Sequence, residues 1–296
     1  MSKNFTVIVD STTDIKPEWA TEWGISTVIP FIVTVDGKDY FNELDERDIK
    51  TKEFYDLLRA GKSGSTTQIT AFRYIEVFEP FLREGQDILY LCLSSGLSKS
   101  YEQSLLAVEE LQKKYPERRV VSVDSKSASL GEGMLAYHAA QACREGKTLD
   151  EAAAYLQTLI PRTFHWIMAD DLHHLRRGGR VSGAAAFMGT LLSVKPILTI
   201  VDSGRLIPIH KARGHEKAFE YILSRMETHE MPKDQPIFVA HSDAPEAAER
   251  LMQKISAKYG ECKFFVNNIG PVIGAHTGPG TVAAVFLGNE RIKEHA

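Results

Sequence analysis

Residues 87–125 read DILYLCLSSGLSKSYEQSLLAVEELQKKYPERRVVSVDS. The apolar runs DILYLCLS (87–94) and RRVVSVDS (118–125) each read as a buried strand ending in Asp or Ser, as parallel strands do at their carboxyl ends. Between them Leu105, Val108 and Leu111 recur at helical spacing, which predicts a helix from about Ser98 to Tyr115 opened by a Ser100-to-Gln103 capping box. The same pattern continues on both sides. FTVIVD (5–10) is another such strand, and ASLGEGMLAYHAAQACREG (128–146) is a helix of small residues closing at Gly146. Strand then helix, repeated, specifies a doubly wound α/β domain.

A further helix is expected over Ala71–Glu84, with Phe72, Ile75 and Phe78 on one face and Pro80 kinking it or ending its regular part. STVIPFIVTVDGKDYF (26–41) is instead two β-rich runs joined at Asp36-Gly37, a hairpin set apart from the parallel sheet. From Thr163 the pattern changes. PILTIVDSGRLIPIHKARG predicts a hairpin turning at Asp202–Gly204, QPIFVAHSDAPEAAERLMQKISAKYG a strand and a helix, and CKFFVNNIGPVIGAHTGPGTVAAVFLG a strand, a glycine-rich loop and a strand. The chain is thus expected to form two domains, an α/β domain over 1–162 and an α+β domain over 163–296 with a mainly antiparallel sheet. No long linker separates them, so a cleft between closely packed domains is the expected ligand site.

Composition narrows the function. The chain has 296 residues, 43% of them hydrophobic, enough for a sizeable core. Lys plus Arg number 35 against 39 Asp plus Glu, a net charge of -4, so no global positive field draws in nucleic acid or an anionic membrane. The N-terminus lacks the long apolar region of a signal peptide, and AAAFMGTLLSVKPILTI (184–200) is interrupted by Lys195 and Pro196, too short to span a bilayer. A cytoplasmic protein, with at most transient membrane contact, is expected. Cys92, Cys143 and Cys262 are far apart and lack any CxxC spacing, as reduced packing residues would.

Four motif readings are weak. LSSGLS has one glycine where a nucleophile elbow needs G-x-S-x-G, so its serines read as caps and turn formers before they read as nucleophiles. GEGMLA (131–136) fits G-x-G-x-x-A, but DSKSASL separates it from its strand and no acid-ended strand follows at the proper distance; close helix packing explains it. GKS (61–63) lacks the earlier glycine of a P-loop. DDLHH (170–174) has neither helical zinc-pair spacing nor a cysteine partner, so no metal is expected.

What remains is four loops rich in hydroxyls and glycine: STTQIT (65–70), LSSGLSKS (93–100), VDSKSASLGEG (123–133) and VIGAHTGPG (272–280). Three of them open helices, where free N–H groups and the positive end of the macrodipole favour a carboxylate or phosphate. In one loop alone, Thr66, Ser94 or Ser98 is adequately explained as a cap; four together point to a polar head group.

In order, VIVDSTTDI, STTQIT, LSSGLSKSYEQS, VVSVDSKSASLGEG, LHHLRRGGRVS, LLSVKPIL and IGPVIGAHTGPG resemble the successive blocks of the DegV family of bacterial fatty-acid-binding proteins, across nearly the entire chain. The resemblance implies one long-chain fatty acid between the two domains, carboxylate at the mouth and tail buried, with no other cofactor. It carries Thr66 and Thr67, Ser94 and Ser95, and His276 to the head group. Ile69 replaces the family's usual proline and Lys99-Ser100 its usual Gly-Thr, which bears on local loop shape only. The resemblance further implies no catalysis in this chain, which presents the acid to a separate ATP-dependent fatty-acid kinase that makes an acyl phosphate for phospholipid synthesis. Arg176, Arg177 and Arg180 of LRRGGR become the expected docking cluster for that partner, against the plainer reading of a solvated turn. AAAFMGTLL (184–192), Gly131, Gly133 and Ala136 are candidates to line the tail channel, and His276 is expected to donate to the carboxylate when neutral and to titrate near neutral pH. A monomer is expected. The alternatives from other classes are a Ser-based acyl hydrolase using the same cleft and an acyl-chain-sensing regulatory module.

Overall fold

The computed structural model describes residues 5–170, 172–181, 194–232 and 234–293. β1 (Thr6–Asp10) leads through α1 (Pro17–Trp23) to β2 (Thr27–Ile29), its parallel neighbour. The chain then builds a small antiparallel sheet from β3 (Ile32–Val35), β4 (Lys38–Phe41) and, after α2 (Thr51–Arg59), β5 (Gly64–Thr67). Asp36 and Gly37 sit at φ 52 and 76, the left-handed pair that a two-residue hairpin turn requires. After α3 (Ala71–Arg83) come β6 (Ile88–Cys92), α4 (Ser100–Lys114) and β7 (Val120–Asp124), completing a parallel sheet of order β2-β1-β6-β7. β2 and β6 flank β1 on opposite sides. The crevice beyond the carboxyl ends of β1 and β6 is therefore a topological switch point, where open α/β sheets take their ligands.

α5 (Leu130–Arg144) and α6 (Leu149–Leu159) lead into the second half: β8 (Thr163–Met168), α7 (Leu172–Gly178), β9 (Val194–Ile200), β10 (Leu206–Arg213), α8 (Gly214–Thr228), β11 (Ile237–His241), α9 (Pro245–Tyr259), β12 (Phe264–Asn268), α10 (Pro271–Thr277) and β13 (Val282–Leu287). Its sheet runs β10-β9-β8-β13-β11-β12, antiparallel except for β11 with β12. The expected combination of a parallel sheet and a separate, mainly antiparallel one is what forms.

Small residues explain how the halves meet. α5 shares one apolar cluster with Val7 and Val9 of β1 and with Phe238, Ala240 and Val285 of the second sheet, so it is buried on nearly every side. A Cβ on Gly133 would lie 2.8 Å from the Thr13 carbonyl oxygen, and one on Gly131 would overlap His165 Nε2. Close packing, not a dinucleotide, accounts for GEGMLA. Cys92 and Cys143 are buried and Cys262 half-buried, all three as free thiols. No helix among the described residues is long and apolar enough to cross a membrane.

Three local expectations are corrected, and a fourth falls outside the described residues. The segment around VIGAHTGPG is not a loop from end to end: Pro271 begins α10, whose glycine Gly274 lets Tyr55 approach so closely that a Cβ there would lie 2.4 Å from the phenol oxygen. Pro80 does not end α3, which runs on to Arg83, and the buried face of that helix is Tyr74, Phe78 and Leu82, leaving Phe72 70% exposed. The Ser100-to-Gln103 capping box is absent. Gln103 Oε1 instead accepts from Ala71 N (3.1 Å) at the start of α3, and Ser100 Oγ accepts from Ile69 N (3.3 Å). A proline at position 69 would have no N–H to give, so the two departures from the family pattern, Ile69 and Ser100, meet in one hydrogen bond. AAAFMGTLL, a candidate channel wall, lies outside the described residues.

Candidate ligand-binding site

A cavity of about 660 Å³ lies between the two halves. The first half contributes Phe31, Leu93 with the Ser95–Lys99 turn and the Ala128–Ser129 entrance to α5; the second contributes Ile167, Ile200, Ala283 and Val285 from the face of its sheet, with Val272 and His276 from α10. Most of its wall is apolar; its polar lining includes Thr66, Ser95, Arg180 and His276, of which Thr66 hydrogen-bonds His276 and Arg180 acts electrostatically on it.

His276 stands in the last turn of α10. Its Nδ1 lies 2.9 Å from the Gly178 carbonyl and its Nε2 2.9 Å from Thr66 Oγ1. A carbonyl only accepts, so Nδ1 carries the proton and, in the neutral ring, Thr66 Oγ1 donates to Nε2. Burial pushes the imidazole down to about 4, and the nearby Arg180 guanidinium pushes the same way. The ring is therefore neutral at physiological pH, yet it does not donate to a carboxylate as expected from sequence, because its one N–H is committed to Gly178. Gly178 is required by this approach: a Cβ there would lie 2.8 Å from both Cα and the carbonyl oxygen of His276. The same carbonyl also accepts from Arg180 Nη1 (3.3 Å).

The serine pair separates. Ser95 borders the cavity, its Oγ accepting from Lys126 Nζ (2.8 Å) and its N–H donating to Asp124 Oδ1 (3.1 Å). Ser94 is fully buried and outside the cavity wall; its hydroxyl donates to the Gly204 carbonyl (2.8 Å) and accepts from Gly96 N (3.1 Å). Its donor is therefore occupied, and it fastens the SSG turn to the β9–β10 turn instead of facing a ligand. Thr66 and Thr67 point to opposite faces of β5, as successive strand residues must; Thr66 meets His276, whereas Thr67 is exposed at the opening. LRRGGR splits likewise. Arg176 and Arg177 are exposed on α7, Arg177 Nη2 donating to His174 Nδ1 (3.2 Å), whereas Arg180, also exposed, borders the cavity beside His276.

Behind the turns lies a network that sequence reasoning missed. Asp10, at the end of β1, accepts from Thr12 N (2.9 Å), Tyr90 Oη (3.0 Å) and Leu93 N (3.1 Å), tying the two switch-point loops together; burial raises its pKa. Asp14, at φ 51, accepts from Ser129 Oγ (2.5 Å), while its carbonyl accepts from Asn267 Nδ2 (2.8 Å), so it joins both halves at the cavity's edge. Burial pushes its carboxyl up to about 8. VIVDSTTDI carried the signal for both acids, two aspartates bracketing hydroxyls straight after a strand.

Among the described residues neither Ser94 nor Ser95 hydrogen-bonds a histidine. Of DDLHH, Asp171 and the side chain of His173 lie outside the described residues. His174 Nε2 donates to the Ala275 carbonyl (3.0 Å), and no group of three or more potential ligands is found among the described residues.

Residues 4–289 match the model of a family described as "Uncharacterised protein, DegV family". This chain belongs to the DegV family. A DegV domain-containing protein of Clostridium perfringens is 39% identical over 98% of this chain and 99% of its own, and one of Streptococcus pyogenes 34% over 96% and 98%. Among solved structures, one described as showing fatty acid binding of a DegV family protein from Thermus thermophilus superposes with a TM-score of 0.85 at 31% identity, covering 96% of this chain and 99% of that one. DegV from Bacillus subtilis, described as a fatty acid binding protein, does so with a TM-score of 0.82 at 29% identity, covering 97% and 100%.

Proposed function

We propose that this DegV protein binds one long-chain fatty acid in the interdomain cavity and presents its carboxylate to a separate ATP-dependent fatty-acid kinase, which forms an acyl phosphate. The observation that carries this reading is a mostly apolar cavity whose lining also holds the Thr66 and Ser95 hydroxyls, the His276 imidazole and the Arg180 guanidinium. Burying a tail of about 15 methylenes at roughly 0.8 kcal/mol each contributes on the order of 12 kcal/mol before association and ordering costs. A hydrogen bond to a charged head adds about 1.5–3 kcal/mol, so the tail holds the ligand and the head orients it. Ser95 is the proposed head-group donor, with Arg180 added as a cation and Thr67 at the rim; Thr66 and His276, whose protons are committed to each other and to Gly178, are proposed to shape the head-group end. The fatty acids named for the Thermus and Bacillus relatives support the ligand class. The domain boundary is placed at 162/163, before β8. The chain acts as a monomeric, cytoplasmic carrier, and the reaction occurs on the partner.

Protein purified from a heterologous host should yield, on organic extraction and mass spectrometry, about one long-chain fatty acid per chain. Adding the acid to stripped protein should raise the melting temperature. An empty extract together with an unmoved melting temperature overturns the ligand. A loaded protein that supports no acyl phosphate formation by a fatty-acid kinase overturns the partner.

A further inference from the structure

Several hydroxyl and imidazole donors of the loops around the cavity are already committed. Thr66 gives its proton to His276 Nε2, His276 gives its own to Gly178, and Ser94 gives its own to Gly204. Ser95 differs. Its Oγ accepts from Lys126 Nζ, an ammonium that can only donate, so the Ser95 hydroxyl keeps its proton for another acceptor. Lys126 does not itself border the cavity.

Resting on the fatty-acid reading above, we propose that Lys126 is a positioning residue for carboxylate recognition: by occupying a lone pair of Ser95 Oγ it turns the Ser95 hydroxyl proton toward the cavity, as a ready donor to the acid. The placement of Lys126 is built from several sides. Its Nζ pairs with Asp124 Oδ2 at 2.9 Å, with the lysine side chain 32% exposed and the aspartate 12%. Its N–H donates to Asp124 Oδ1 (3.0 Å), the oxygen that also receives Ser95 N–H. Its carbonyl accepts from the buried Arg291 guanidinium. Its backbone sits at φ 48, a left-handed conformation that a lysine holds only where its surroundings impose it. Asp124 balances the ammonium charge, so Lys126 contributes direction to the Ser95 hydroxyl more than net charge to the cavity.

The test uses stripped full-length protein, one long-chain fatty acid and the alcohol of the same chain, with wild type, K126M, S95A and the double variant. K126M should weaken acid binding about tenfold, the scale of one charge-assisted hydrogen bond, and leave alcohol binding unchanged. In the S95A background K126M should cause no further loss. Retained alcohol binding shows that the variant is folded; if K126M does not fold, K126Q gives the same reading. Equal losses for acid and alcohol, or no loss for the acid, overturn the proposal. So does a K126M loss that persists without Ser95, which assigns the effect to the unpaired Asp124 charge. Wild type that binds neither ligand sinks the fatty-acid reading itself, an outcome distinct from all of these.

Discussion

Ser94 and Ser95 are neighbours with different partners, and their substitutions should separate accordingly. Removing the Ser94 hydroxyl strands the Gly204 carbonyl and Gly96 N–H at a buried contact between the halves, so Ser94→Ala is expected to destabilise the protein by about 1–2 kcal/mol. Its acid affinity, once the protein is folded, should hold. Ser95→Ala should show the reverse, little change in melting temperature and a loss of acid affinity; calorimetry and ligand titration on the same samples separate the two. Asp14 supplies a pH test. Its folded carboxyl is raised to about 8 from an ordinary value of 3.8, so the folded state holds a proton that the unfolded chain has released. The stability it contributes is full below the unfolded value and is lost as pH rises through about 8. Asp14→Asn keeps the shape without the titration and should flatten the fall in melting temperature between about pH 4 and pH 8. An unchanged slope would mean that Asp14 is ionised in the folded protein. His276 and His138, both pushed down to about 4 by burial, act on the other flank: the unfolded chain takes up protons there that the folded one refuses, so stability falls as pH drops from about 6.5 toward 4.

Among the elements, α7 and α10 depend on a contact that sequence spacing hides. Gly178→Ala would drive a Cβ into the His276 backbone, which cannot rotate away as a side chain can. The expected result is a displaced imidazole, loss of its bond to the Gly178 carbonyl, and weaker binding of a fatty acid than of the matching alcohol; equal affinities would show that His276 does not act on the head group. The parallel strands were legible because each is a short apolar run closed by a polar residue, and the hairpin because Asp36-Gly37 meets the backbone demand of its turn. α10 was not, since glycine and proline usually mark loops; here Pro271 takes the first helical position and Gly274 allows the close packing of Tyr55. The capping box failed for a related reason. Ser100 and Gln103 had partners in the Ile69–Ala71 segment, and a long-range bond displaced the local one. At the site, residue types were readable but their commitments were not. Thr66 and His276 are far apart in sequence, as are Ser94 and Gly204, and only the fold decides which hydroxyl is left to face a ligand.

For the whole molecule, retention and hand-over of the acid place different demands on one surface. On the function proposed above, retention rests on the buried tail and hand-over needs the carboxylate end to face the kinase, which puts the proposed docking contacts near Thr66 and His276. α7 lies there, packed on α10 through Gly178 and through His174, whose Nε2 donates to the Ala275 carbonyl. Arg176 and Arg177 expose cationic surface on that helix in a chain of net charge -4, a local exception suited to an acidic partner face. Arg180 does not share the role cleanly, because it borders the cavity and acts electrostatically on His276. Charge reversal should therefore divide the cluster. Arg177→Glu should keep its fatty-acid content and raise the carrier concentration needed for half-maximal kinase activity, and the gap from wild type should narrow as salt screens the wild-type attraction. Arg180→Glu should lose acid as well, since it sets a carboxylate against the bound one. If Arg177→Glu also sheds its lipid, its contact with His174 supports the cavity and not the partner; if it changes neither lipid content nor kinase activity, docking lies elsewhere on the surface.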